Sequence, residues 1–119
     1  MPKTISKTTK RAPPKGSRAV PSLPYEPWLI EQLKDRAHAA AYLEAVIEDG
    51  DQAAIMLALR QVAQAQGGVA QIARKAGLTR EATYKMLSKT GNPELRSLTA
   101  VLQATGLRIS VKPIEKQAA

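Results

Sequence analysis

The chain has 119 residues, of which 44% are apolar, and it carries a formal net charge of +8. This length suits one small domain, and the lack of cysteine excludes disulfides and thiolate zinc sites. No apolar run nears the roughly 20 residues a membrane helix needs, and the basic N-terminus lacks the apolar stretch of a signal peptide, so a cytoplasmic protein with no membrane partner is expected.

Charge is unevenly spread. Residues 1–24 hold Lys3, Lys7, Lys10, Arg11, Lys15 and Arg18 and no acid, whereas 25–119 are close to balanced, with twelve basic and ten acidic residues. Overall basicity is therefore weak evidence for nucleic-acid binding by the folded part. Residues 1–24, rich in Lys, Thr, Ser and Pro, read as a flexible basic arm. Such an arm serves either to hold phosphate or a minor groove, or as a solvated tail.

The domain is expected over 25–119. With no Phe, one Trp and three Tyr, its core must draw on Ala, Leu, Ile and Val. Tyr25, Trp28, Leu29, Ile30 and Leu33 form a first apolar patch, in which Pro27 can begin a helical turn. Trp28 reads as an anchor onto the domain, with an interface role as the alternative. Asp35 is placed to cap a helix over 36–48, with Gly50 as its C-cap and Asp51 as the next N-cap. The following helix, about 52–65, is apolar on more than one face and should be central to the core. Gly67 and Gly68 stop it.

Residues 69–88 read as two helices, about 69–76 and 79–88, joined by a tight turn. Small Ala73 lets the second helix cross closely, and Gly77 can take the left-handed conformation that ends the first. Leu78 plugs the corner and Thr79 caps the second helix. This is the pattern of a helix-turn-helix, whose second helix enters the DNA major groove. Thr90-Gly91-Asn92-Pro93 is a turn signal that precedes a helix at about 94–105, ended by Gly106. Leu107 to Lys112 alternates apolar and polar residues and reads as a short strand over 107–112. A lone strand needs a partner, and a second copy of the chain is the simplest one. The predicted class is all-α, a compact helical bundle of five helices with a short C-terminal β-strand, dimeric on DNA.

On the second motif helix, Met86 and Leu87 are expected inside. Thr83 stands where an apolar residue is usual, and a buried Thr can bond back to a helix carbonyl. That leaves Arg80, Glu81, Tyr84 and Lys85 as candidate base readers. Arg binds guanine in a bidentate manner, and Glu accepts from cytosine or fixes the pose of Arg80. Candidate phosphate contacts are Gly68, Val69, Gln71, Thr79, Ser88, Lys89 and Asn92, the first two through backbone N–H groups at a helix start. A catalytic role is not expected. His38 is the one histidine, and the Glu48, Asp49 and Asp51 cluster lacks the oxygen spacing of a calcium loop; neither metal nor cofactor is called for.

The runs Tyr42-Leu43-Glu44-Ala45, Glu48-Asp49-Gly50-Asp51 and Leu57-Ala58-Leu59-Arg60-Gln61-Val62-Ala63, with Gly67-Gly68 and the motif that follows, resemble the probable addiction-module antidote proteins. These are small Xre-like, HigA-related helix-turn-helix antitoxins. Gly91-Asn92-Pro93, the Leu98 to Leu102 helix and Gly106 to Val111 fit as well, so that the resemblance covers about 29–112 and leaves 1–24 unexplained. It implies a lambda-repressor-like helix-turn-helix and a type II antitoxin that neutralises a RelE/ParE-like toxin, binds its own operator DNA and represses transcription. Tyr25, Trp28, Leu29 and Tyr42, large apolar groups outside the motif, are the candidate toxin contacts. Two other readings stand beside it: a stand-alone Xre-type or phage-type regulator, and a protein-interaction module that does not bind DNA.

Overall fold

The computed structural model describes residues 25–115. They form six helices: α1 Tyr25–Gln32, α2 Arg36–Asp49, α3 Gln52–Ala65, α4 Val69–Ala76, α5 Arg80–Met86 and α6 Leu95–Ala104. Five of these match the helices expected from periodicity. The sixth, α1, forms around Pro27, whose missing N–H falls within the first turn, where no intrahelical donor is needed. The basic arm over 1–24 lies outside the described residues.

Helix boundaries follow local chemistry. Asp35 Oδ1 accepts from the amides of Ala37 at 2.8 Å and His38 at 3.4 Å, capping α2. Asp51 stands at the N-cap of α3 without a side-chain capping bond. Gly77 ends α4 at φ 75°, in the left-handed region, and the Leu78 amide then donates to the Ala73 carbonyl at 2.9 Å. That bond closes a Schellman-type end and turns the chain directly into α5.

The core is aliphatic. Leu29, Leu33, Leu43, Met56, Leu59, Val62, Ile72, Leu87 and Val101 are buried around Ala39, Ala58 and Ala63, which are fully enclosed. Alanines at these positions allow close helix approach. As expected, α3 is central: it packs against α1, α2 and α4, while α4 packs in turn against α5 and α6.

Two expectations are corrected. Residues 107–112 form no strand; α6 ends at Ala104, the Leu107 amide donates to the Leu102 carbonyl at 2.9 Å, and the chain continues without regular secondary structure. The described residues offer no second strand, so the alternating pattern has nothing within them to pair with. Trp28 is not a core anchor either. It is 46% exposed, and Leu29 and Leu33 make the buried contacts of this segment instead.

Candidate nucleic-acid interface

The α4–α5 pair is held by specific local bonds. Thr79 Oγ1 accepts from the Ala82 amide at 3.0 Å, capping α5, and Thr83 Oγ1 donates to the Thr79 carbonyl at 2.8 Å. Thr83 is completely buried, as is Leu87 one turn later, and Met86 is half-buried. With Thr83 and Leu87 facing inward, Arg80, Glu81, Tyr84 and Lys85 face solvent. None of the four forms an ion pair among the described residues, so Glu81 does not hold Arg80 in a fixed pose. Their donors and acceptors remain available at the start and middle of a short exposed helix.

The candidate phosphate contacts divide. Thr79, Lys89 and Asn92 are exposed. Ser88 is half-buried, and its hydroxyl donates to the Lys85 carbonyl at 2.7 Å. Gln71 is half-buried and folds back over Gly67, where an added Cβ would come within 3.1 Å of its side chain. The Gly68 amide is committed to the Ala63 carbonyl at 2.9 Å and is not a free donor. No side chain caps α4, so the amides of its first turn, from Val69 onward, have no capping acceptor.

The other candidate surface lies on α1 and α2. Tyr25 and Trp28 are exposed, with ring centroids 6.0 Å apart. Tyr42 donates to Gln61 Oε1 at 2.7 Å, and Gln61 Nε2 donates to Glu26 Oε2 at 3.0 Å. This chain of bonds fastens α1 and α2 to the buried Gln61 of α3. Burial, reinforced by the nearby Tyr25 and Glu26, raises the Tyr42 pKa above its usual 10.0. Leu29 belongs to the core, so of the four candidates Tyr25 and Trp28 face outward, and Tyr42 lies between surface and core.

A family model described as probable addiction module antidote protein matches residues 28–113. The chain belongs to this family. A Haemophilus influenzae protein, itself described only as uncharacterized, is 35% identical over 84 residues, or 71% of this chain and 86% of that one. No solved structure matches. Membership makes the protein the antidote partner of a toxin in general terms. The family match takes in all of α2 to α6, and hence the whole exposed face of α5.

Sequence reasoning missed the antidote protein's polar ties to α3. Arg60 Nε and Nη2 donate to the Leu87 carbonyl at 3.2 and 2.9 Å, and Gln52 Nε2 donates to the Gly91 carbonyl at 2.9 Å. Gln66 Nε2 donates to the carbonyls of Leu33 and Lys34. A signal was present: Arg60 and Gln61 interrupt a helix read as central, and polar groups in such a place require partners.

Proposed function

We propose that this antidote protein is the antitoxin of a type II toxin–antitoxin system, that α4 and α5 are its helix-turn-helix, and that it represses its own operon by binding operator DNA. The observation that carries the DNA reading is the solvent face of α5. Arg80, Glu81, Tyr84 and Lys85 stand there without ion-pair partners among the described residues, on a helix capped by Thr79 and joined to α4 through a left-handed Gly77. Arg80 and Glu81 occupy the first turn, from which recognition helices reach base edges. Tyr84 and Lys85 follow one turn later. Val69, Gln71, Thr79, Ser88, Lys89 and Asn92 are the phosphate contacts proposed around it, with the basic arm over 1–24 as a further one.

The toxin is of the RelE/ParE type in this reading, and it docks on the exposed Tyr25 and Trp28 pair beside Tyr42. The protein binds DNA as a homodimer, which suits a two-fold symmetric operator.

The test is to recover the tagged protein from its native cell and identify the proteins and DNA that accompany it. A RelE-like ribonuclease together with the protein's own promoter supports the full reading. Promoter DNA without a toxin leaves a stand-alone repressor, and the absence of DNA removes the operator claim.

A further inference from the structure

We propose that Arg60 and Gln52 of α3 are positioning residues for DNA reading: they grip the C-terminal end of α5 and the turn after it, and so set the pose of the base-reading side chains. The inference rests on the reading of α5 as the DNA-contacting helix.

Helix α5 has seven residues. A helix so short is marginal in water, and its last carbonyls lack intrahelical donors. Its orientation must come from outside. At the N-terminal end the supports are local: the Gly77 turn, the Thr79 cap and the Thr83 back-bond. At the C-terminal end the Ser88 amide and hydroxyl bond the Lys85 carbonyl, and further support comes from a distant helix. The Arg60 guanidinium places two N–H donors on one oxygen, the Leu87 carbonyl, at 3.2 and 2.9 Å. A cation at this point also meets the negative end of the helix dipole. Arg60 forms no ion pair among the described residues, so its guanidinium is directed at this carbonyl rather than at a carboxylate.

A second tie lies just beyond. Gln52 Nε2 holds the Gly91 carbonyl at 2.9 Å, and the Gly91 amide donates to the Ser88 carbonyl at 2.8 Å. A Cβ at Gly91 would overlap the Met86 carbonyl, so only glycine lets this turn fold back onto the end of α5. Gln52 and Arg60 lie about two helical turns apart on α3 and grip the end of α5 and the turn that follows it.

The consequence for reading is mechanical. Leu87 lies about 10 Å along the axis from Arg80, at 1.5 Å per residue. Releasing that end lets α5 tilt, and the tilt displaces the side chains at its start. Base readout depends on bidentate geometry and suffers first, whereas phosphate attraction tolerates displacement. Arg60 therefore governs discrimination between DNA sequences without itself touching a base.

The test uses the full chain with Arg60→Met, Arg60→Lys and Gln52→Ala. Amide hydrogen exchange of the free protein is followed at 84–88, with α2 and α3 as internal controls. Affinity is measured for the protein's own promoter and for a shuffled duplex at the same salt. Arg60→Met should speed exchange at 84–88 about tenfold, the loss expected for a charge-assisted hydrogen bond, while the α2 and α3 amides keep their protection. It should lower the promoter-to-shuffled affinity ratio by a similar factor. Arg60→Lys, which retains one donor and the charge, should fall between Arg60→Met and the unaltered protein. Gln52→Ala should show a smaller change of the same sign, and it serves as the reading variant if Arg60→Met fails to fold. Unchanged exchange at 84–88 overturns the proposal, as does faster exchange with an unchanged affinity ratio. If the unaltered protein does not discriminate the two duplexes, the DNA reading fails and the positioning role fails with it, while the exchange data still report whether Arg60 holds α5.

Discussion

Thr79 and Thr83 interlock: the Thr83 hydroxyl donates to the Thr79 carbonyl at 2.8 Å, and the Thr79 hydroxyl accepts from the Ala82 amide at 3.0 Å. The two hydroxyls are not equivalent. Replacing Thr79 by Ala strips the Ala82 amide of its acceptor and should cost about 1 kcal/mol. Thr83→Val should stay within about 1 kcal/mol of the parent, because the Thr79 carbonyl keeps the Thr83 amide as a donor at 3.0 Å. Urea unfolding of both variants separates the roles, and a larger loss for Thr83→Val contradicts them.

Two glycines close to α5 should respond differently to alanine. At Gly77 an added Cβ meets nothing within 4 Å, so the penalty is that of a left-handed residue, about 1–2 kcal/mol. At Gly91 the Cβ overlaps a backbone carbonyl that cannot move without disturbing α5. Gly91→Ala should therefore be the more destabilising of the two. A smaller shift in melting temperature for Gly91→Ala than for Gly77→Ala would show that the turn relaxes freely.

Tyr42→Phe removes the donor to Gln61 Oε1, on a side chain that is only 4% exposed. An unsatisfied acceptor there should cost about 1–3 kcal/mol. The Tyr42 pKa is raised in the folded state, first by burial and then by Tyr25 and Glu26. The neutral phenol is thus the form that folding favours. Its contribution is complete below the ordinary value of 10.0 and is lost as pH rises through the higher folded value. Denaturant unfolding between about pH 9 and pH 11 should show a steeper alkaline loss for the parent than for Tyr42→Phe. Parallel profiles would contradict this.

Deleting residues 1–24 removes six positive charges. If the arm lies on phosphate, the slope of log affinity against log salt should fall by about 0.9 for each phosphate that the arm neutralises, with the promoter preference retained. An unchanged slope would identify the arm as a solvated tail.

Much of the architecture was legible because it is written in local chemistry. The Asp35 and Thr79 caps, the Gly77 turn and the back-bonded Thr83 each depend on residues within four positions along the chain. The central place of α3 followed from apolar residues on more than one of its faces. What escaped was long-range. Arg60 meets Leu87 across 27 positions, and Gln52 meets Gly91 across 39, partnerships that no periodicity encodes. Trp28 misled because size suggested an anchor, whereas it is Leu29 on α1 and Leu33 just after it that are buried in the core. The segment over 107–112 misled because alternation gives strand character but cannot supply a second strand.

The central claim is that α5 reads DNA, and the most direct measurement is affinity for the protein's own promoter against a shuffled duplex at one fixed salt concentration, for the parent and for Arg80→Ala. The account predicts a promoter preference of at least about a thousandfold for the parent and a loss of about 1–3 kcal/mol on the promoter alone for Arg80→Ala. Equal affinity of the parent for both duplexes, or an equal loss on both for Arg80→Ala, would contradict it.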